Sequence, residues 1–83
     1  MKLVYFAWVR ERIGVAEEEI PLPDSVVTVR ELLEWLKSRG DGYAAALQYP
    51  DAIRVAINQE HAGHGEPVAG AREIGLFPPM TGG

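Results

Sequence analysis

The chain has 83 residues, a net charge of −4, no cysteine, 47% apolar residues and 24% charged residues. This length and composition predict one folded domain, residues 1–83, with a small core. The lack of cysteine excludes disulfides and thiolate metal sites, and the acidic balance argues against nucleic-acid binding. No apolar run is long enough to cross a membrane and no signal-peptide pattern opens the chain, so we expect a cytoplasmic protein.

The N-terminal part is predicted to contain two strands. Residues 2–8 carry apolar side chains on both faces, which is typical of a strand covered on both sides. Residues 9–14 are polar enough for a loop, with Gly14 as its turn residue. Residues 16–22 are predicted to return as a second strand. Its three consecutive glutamates favour the sheet edge, where charge opposes aggregation.

The clearest helix begins at Thr28. Thr28 and Glu31 have the spacing of a capping box, in which each side chain accepts a hydrogen bond from the other residue's backbone N–H. Gly40 is placed to end the helix in a left-handed turn. Apolar residues at helical spacing form the stripe that should be buried: Val29, Leu32, Leu33 and Leu36.

The C-terminal half is predicted to contain a short helix and two strands. The helix covers residues 42–47 and is broken by Pro50. The strands cover residues 53–58 and 72–77, where apolar side chains alternate with others. The polar, glycine-containing segment between them, residues 59–67, is predicted as a loop or a poor strand.

These elements predict a two-layer α+β domain, because one well-capped helix must bury its stripe against one sheet. Their order resembles the β-grasp, or ubiquitin-like, arrangement. In that arrangement a mixed sheet has one main helix packed on one face, and here a flexible, extended C-terminal tail would follow, residues 78–83. The last strand can lie beside the first, which places the tail at the end of the sheet.

The body of the chain shows no recognisable catalytic site. His61 and His64 could bind a metal, but such a pair is more often a pair of surface loop residues, and no metal site is predicted. The carboxylates show no pairing that indicates acid–base chemistry, and no glycine-rich phosphate loop follows a strand. We therefore expect a protein that is not an enzyme on its own.

The tail is the most distinctive segment of the chain. Pro78 and Pro79 cannot donate to a sheet and favour extended backbone, while Gly82 and Gly83 have no side chain to obstruct a narrow passage. Fully extended, residues 78–83 reach about 20 Å, enough to enter the active site of another protein. The residues alone leave two interpretations level, a frayed terminus and a functional group.

Three segments of the chain carry a family resemblance. The ending from Glu73 to Gly83 is similar to an acidic-apolar-Phe-Pro-Pro-x-Thr/Ser-Gly-Gly terminus, and the segments 3–11 and 55–59 match further family pieces. With them the whole chain resembles the small subunits of molybdopterin synthase, sulfur carriers with the ubiquitin-like fold. It departs from the family before the last strand. There the family often has an acidic Asp-Gly-Asp-Glu turn, and this chain has residues 69–72, Ala-Gly-Ala-Arg.

The resemblance implies chemistry at the chain end. An ATP-dependent, E1-like adenylating enzyme would activate the carboxylate of Gly83, and a sulfur donor would convert it to a thiocarboxylate. The tail would then enter the large subunit of molybdopterin synthase, in a heterotetramer, and donate sulfur to a cyclic pyranopterin precursor in molybdenum cofactor biosynthesis. No cofactor would be bound tightly, since the activating partner uses the ATP. Phe77 would anchor the tail base at the partner, and the inserted arm would be Pro78, Pro79, Met80, Thr81 and Gly82.

Other functions stay open. A related carrier could serve thiamine or cysteine biosynthesis or tRNA thiolation, although Phe77 followed by two prolines favours the molybdopterin branch. A second alternative is a ubiquitin-like modifier that becomes attached to lysines of other proteins. A third is an interaction domain in which the two final glycines are incidental.

Overall fold

The computed structural model describes residues 1–79 of the chain, and Met80 to Gly83 lie outside the described residues. The elements are β1 (Lys2–Tyr5), α1 (Ala7–Ile13), β2 (Glu17–Glu19), α2 (Val29–Lys37), α3 (Asp41–Ala46), β3 (Arg54–Ile57), β4 (Glu60–Ala62) and β5 (Glu73–Phe77). A 3-10 turn, Pro50–Ala52, precedes β3. No helix in this part of the chain has both the length and the apolar character needed to cross a bilayer.

The strands form one five-stranded sheet in the order β2-β1-β5-β3-β4. β1 and β5 are parallel, and the other neighbours are antiparallel. The predicted mixed sheet, the last strand beside the first, and the edge position of the glutamate-rich strand are therefore confirmed. Because β5 is the central strand, the tail leaves from the middle of one end of the sheet.

One face of the sheet, the inner face, packs against the helices. Alternation along β1 and β5 turns Leu3, Ile74 and Leu76 to this face, where all three are 0% exposed. The predicted stripe of α2 meets them, and its four members are also 0% exposed: Val29, Leu32, Leu33 and Leu36. Burying one such side chain stabilises the fold by about 1.5–3 kcal/mol, so this layer supplies most of the stability.

The predicted capping box at the start of α2 is confirmed. The Glu31 backbone N–H donates to Thr28 Oγ1 at 3.2 Å, and the Thr28 N–H donates to Glu31 Oε1 at 2.9 Å. The N–H of Thr28, followed by that of Val27, lowers the pKa of the Glu31 carboxyl, because these bonds favour the charged form. The cap thus fixes the first turn of α2 from local sequence alone.

The predicted loop at residues 9–14 is wrong, because most of it is α1. Val9 is 0% exposed and Ile13, one turn later, packs against the core. Three apolar side chains, Trp8, Val9 and Ile13, hold this helix against its neighbours, and so short a stripe gives little periodic signal. Gly14 has a φ of 100° and ends α1, and the predicted first strand, residues 2–8, stops at Tyr5.

The predicted left-handed turn at Gly40 is also wrong. α2 ends at Lys37, its C-cap residue Ser38 is right-handed with a φ of −78°, and Gly40 is extended and precedes α3. The glycine that packing requires is Gly42 in α3. A Cβ there would lie 2.6 Å from the backbone oxygen of Arg12, so α3 packs directly on the end of α1 only because that side chain is absent.

Candidate functional site

The outer face of the sheet carries two stacked aromatic rings where the tail begins. Phe77 is the last residue of β5, and Phe6 follows the parallel neighbour β1. Their ring centroids lie 4.3 Å apart and their planes differ by 3°. Phe6 is 38% exposed and Phe77 is half-buried, so aromatic surface remains accessible beside the tail.

Gly75 allows the two rings to lie close to the sheet. On the outer face it is flanked by Val4 of β1 and Ala56 of β3. A Cβ at Gly75 would lie 3.2 Å from ring carbons of both Phe6 and Phe77. The missing side chain therefore leaves the space that the ring pair occupies.

Ala7 makes the bend that separates Phe6 from the core. Its φ is 52°, in the left-handed region that residues with a side chain rarely adopt. Such backbone strain costs about 1–3 kcal/mol and is common at functional sites. The bend leaves Phe6 on the outer face, while Val9, three residues later, enters the core.

A groove of about 650 Å³ surrounds the ring pair. Its apolar lining includes Phe6, Ala56, Gly75, Phe77, Pro78 and Pro79. The rim is polar and includes Arg54, Gln59, His61 and Glu73. The structure thus brings three predicted partner-binding residues together, Phe77, Pro78 and Pro79. The others, Met80, Thr81 and Gly82, and the predicted reactive Gly83 lie outside the described residues.

The rim near β1 carries one cation between two carboxylates. Lys2 Nζ lies 3.8 Å from Glu17 Oε2 and 4.0 Å from Glu73 Oε1. Exposed ion pairs of this kind contribute about 0–1 kcal/mol to stability. Their effect on the groove is that Glu73 already has a cation beside it.

The turn before β5, where the chain departs from the family pattern that it resembles, is held by Asn58. Asn58 Oδ1 accepts from the backbone N–H of Arg72 at 2.8 Å and of Glu73 at 3.1 Å. Its own N–H donates to the Glu73 oxygen at 2.8 Å. Gly70 takes a φ of 80°, which glycine adopts freely. A side-chain amide therefore fixes where β5 begins.

A glutamate bound by two tyrosines lies on the inner side of the sheet. Tyr5 Oη donates to Glu18 Oε2 at 2.7 Å, and Tyr43 Oη donates to the same oxygen at 2.5 Å. Burial, reinforced by the Glu18 bond, raises the pKa of Tyr5 far above its usual value, and the same two causes raise the pKa of Tyr43. This cluster joins β1, β2 and α3 on the face opposite the groove, and we assign it a structural role.

The two histidines have different surroundings. His64 Nε2 lies 2.8 Å from the Ile53 oxygen and ties its loop to the start of β3. His61 is exposed on β4 at the groove rim. Within residues 1–79, no three His, Cys, Asp or Glu side chains are grouped so that they could hold a metal ion.

Sequence reasoning missed Phe6 and Arg54 as members of this site. A signal for Phe6 existed, since period-2 alternation sets it opposite Leu3 and Tyr5, and one helix can cover only one face. Arg54 gave no signal, because its position across from Phe77 depends on the pairing of β3 with β5.

Comparison with known sequences identifies a matching family model and two relatives that share one name. The model of the ThiS family matches residues 3–83. A protein named molybdopterin synthase sulfur carrier subunit from Haemophilus influenzae is 39% identical, with 100% of this chain and 99% of the relative aligned. A protein of the same name from Escherichia coli is 31% identical over the same shares of the two chains.

Comparison with solved structures gives the same fold. A Pyrococcus furiosus protein described as molybdopterin converting factor, subunit 1, superposes with a TM-score of 0.73 at 30% identity and covers 95% of each chain. Small archaeal modifier protein 1 from Haloferax volcanii superposes with a TM-score of 0.71 at 30% identity and covers 96% of this chain and 97% of its own.

Proposed function

The chain belongs to the ThiS family, and from this premise we propose that it is the sulfur-carrier subunit of a molybdopterin synthase. The observation that carries the proposal is the accessible apolar groove at the base of a Pro-Pro-x-Thr-Gly-Gly tail. A carrier needs two parts, a surface that binds a partner and an arm that reaches the reaction. The groove supplies the first part, and the tail supplies the second.

The proposed chemistry takes place at Gly83. Its carboxylate oxygen attacks the α-phosphorus of ATP in an adenylating enzyme and expels pyrophosphate, which gives an acyl-adenylate. A sulfide-level donor then attacks the acyl carbon and expels AMP, which leaves a thiocarboxylate. Adenylation is needed because a carboxylate is a poor electrophile and AMP is a good leaving group. This loading uses ATP, and we place it in the cytoplasm.

The proposed role of the body is to dock the tail in the large subunit of the synthase. Covering the exposed ring of Phe6 and the half-buried ring of Phe77 gives binding free energy at the tail base. Pro78 and Pro79 continue the same surface, so docking and tail insertion are coupled. The catalytic groups that act on the pyranopterin would belong to the large subunit, and this chain would be no enzyme on its own.

Intact-protein mass spectrometry tests the proposal. The full chain is incubated with its adenylating enzyme, ATP and a sulfide source. The expected result is a mass gain that equals replacement of one oxygen by sulfur, located at the C-terminal peptide. The loaded protein, mixed with the large subunit and the pyranopterin precursor, should return to its original mass as sulfur is transferred.

Two controls define the outcome. The reaction without ATP should leave the mass unchanged. Deletion of Gly83, or addition of one residue after it, should abolish the gain while the unfolding transition stays that of the wild type. A wild-type protein that gains no sulfur would contradict the proposal, and loss of folding in the tail variants would give the tail a structural role.

A second candidate function, a protein modifier, is favoured by the similarity to small archaeal modifier protein 1. The modifier would form isopeptide bonds from Gly83 to lysines of other proteins. A denaturing gel of cell extract, probed for this chain, separates the two functions: a ladder of larger adducts indicates a modifier. A carrier for thiamine, cysteine or thiolated tRNA would instead purify without the large subunit.

A further inference from the structure

Arg54 lies on the outer face of the sheet, beside the ring of Phe77. The pairing of β3 with β5 sets Arg54 directly across from Phe77, and both residues line the groove. Side chains that face each other across a strand pair have Cβ atoms about 4.5–5.5 Å apart. A protein that covers Phe77 therefore also reaches the exposed guanidinium of Arg54.

Arg54 has no acidic partner within the part of the chain that the structure describes. The nearby carboxylates are already committed: Asp51 Oδ1 lies 2.8 Å from Arg30 Nη1, and Glu73 lies beside Lys2. The ion pairs of residues 1–79 do not include Arg54. Besides Glu73, the titratable group that lines the groove with Arg54 is His61, which faces the same side from β4.

At the position of Arg54 the rim therefore has a charge opposite in sign to the net charge of the whole chain. The chain carries a net charge of −4, yet Arg54, which pairs with no carboxylate of residues 1–79, lies at the edge of an apolar groove. Covering the groove removes water from that guanidinium, and an uncompensated charge at an interface costs several kcal/mol. A carboxylate offsets this cost best, because it accepts two parallel N–H bonds from a guanidinium.

We propose that the partner which covers the groove presents an Asp or Glu carboxylate to Arg54, next to the apolar side chain that fills the space around Phe6 and Phe77. This inference rests on the proposed function, which makes that partner the large subunit of the synthase. The ring pair then supplies the affinity of the interface. The ion pair between Arg54 and the partner's carboxylate fixes the register of the interface. It also disfavours partners that carry a cation or an apolar residue at that point.

A charge series at Arg54 tests the proposal. Affinity for the purified large subunit is measured by calorimetry for wild type, Arg54→Lys, Arg54→Gln and Arg54→Glu. Arg54→Gln should bind about 10-fold more weakly, and Arg54→Glu about 100-fold or more, since close interfacial charge pairs have coupling energies that correspond to such changes. Arg54→Lys should fall between wild type and Arg54→Gln. Raising the salt concentration should weaken wild type more than Arg54→Gln.

Lys37→Glu is the matched control, because it makes the same change of charge on α2, which packs on the inner face. Lys37 pairs only with Glu34 at 3.8 Å among the residues that the structure describes. The affinity of the Lys37→Glu variant for the large subunit should stay within about 2-fold of wild type, as expected for a charge outside the interface. If Lys37→Glu and Arg54→Glu weakened binding equally, the loss of affinity would be an effect of net charge alone, and the proposal would be overturned.

Cross-linking identifies the carboxylate itself. The lysines of this chain are Lys2 and Lys37, so Arg54→Lys adds a primary amine at a position that peptide mapping can distinguish. A carbodiimide joins an amine to a carboxylate in contact with it, and the water that is lost converts the carbodiimide to a urea. The expected product links residue 54 to one Asp or Glu of the large subunit.

Two outcomes separate the inference from the function on which it rests. A wild-type chain that binds the large subunit, together with an Arg54→Glu variant that binds as tightly, overturns the inference and leaves the proposed function standing. Cross-links that join the large subunit only to other residues of this chain would also overturn the inference and leave the proposed function standing. A wild-type chain that neither gains sulfur nor binds the large subunit overturns both.

Discussion

The two faces of the sheet are built from the same strands but have opposite properties. On the inner face, Leu3 and Leu76 are 0% exposed beneath the helices. On the outer face, the neighbouring strand ends carry Phe6, which is 38% exposed, and the half-buried Phe77. Since alternate residues of a strand point to opposite faces, one sequence serves both purposes at once.

The difference indicates which face of the sheet can form contacts with another protein. The inner face is filled by its own side chains, so its contacts are satisfied within the chain. The outer face stacks two rings over Gly75 and leaves a groove of about 650 Å³ beside them. Accessible apolar surface rimmed by polar groups is typical of a site that another protein covers. Stability should therefore depend on the inner face, and partner binding on the outer face.

The largest loss of stability should come from Leu32→Ala, at the centre of the inner layer. Leu32 is 0% exposed, and removing such a side chain leaves a cavity that costs about 2–5 kcal/mol. Urea unfolding followed by circular dichroism measures this. Val15→Ala is the control, because Val15 is 44% exposed and its loss should change stability by less than about 0.5 kcal/mol. Equal costs for the two variants would contradict the assigned core.

Gly42→Ala should be the next most damaging change. The new Cβ would stand 2.6 Å from the Arg12 backbone oxygen, which forces α3 away from α1 and costs about 1–3 kcal/mol. Gly63→Ala is a matched control, since no atom lies within 4 Å of a Cβ there. Thermal unfolding of both variants measures the contrast. A neutral Gly42→Ala would mean that the inner layer packs more loosely than its geometry indicates.

Phe77→Ala should separate binding from stability. We expect affinity for the large subunit to fall about 10- to 100-fold, the effect of a central aromatic contact. The unfolding free energy should fall by only about 1 kcal/mol, since Phe77 is half-buried and loses mainly its stacking on Phe6. Calorimetry measures the affinity and urea unfolding measures the stability. The Phe6→Ala variant and the double variant complete a cycle that gives the coupling between the two rings. A loss of stability as large as that of Leu32→Ala would remove the contrast between the faces.

The smallest effect concerns alkaline pH. The pKa of Tyr5 is raised in the folded state, so the folded protein keeps a proton that the unfolded chain releases above about pH 10. The contribution is complete below that pH and is lost as the pH rises toward the raised pKa of the folded state, so the unfolding free energy should decline from about pH 10 upward.

Tyr5→Phe should flatten this decline and lower stability near neutral pH by about 1 kcal/mol, the value of one hydrogen bond. Tyr49→Phe, at a residue that is 71% exposed, should leave the profile as it is in the wild type. Urea unfolding at several pH values decides the matter. An identical decline in the Tyr5→Phe variant would assign the pH dependence to other groups.

Much of the inner layer was predictable because its signals are local. The capping box joins Thr28 to Glu31, three residues later, and the apolar stripe of α2 recurs every three or four residues. A short window of sequence therefore contains both signals. The alternation in the last strand is equally local. That the last strand lies beside the first was an expectation from the fold type, and the pairing of β1 with β5 confirms it.

The two errors have different physical origins. α1 forms because Val9 reaches a core built from residues that are distant in sequence. α2 ends at Lys37, before Gly40, where the next residue, Ser38, donates from Oγ to the backbone oxygen of Trp35. Residues 9–14, a polar stretch, gave no local signal for a helix.

Local sequence patterns were enough to predict the α+β layer, the stripe that α2 buries, and the tail on which the family resemblance rests. Which side chains lie beside that tail depends on tertiary structure. The stack of Phe6 on Phe77, the space over Gly75 and the position of Arg54 across from Phe77 all arise from strand register. Periodicity within one segment states which side chains share a face, but register between segments decides which of them touch, and a binding site is made of the residues that touch.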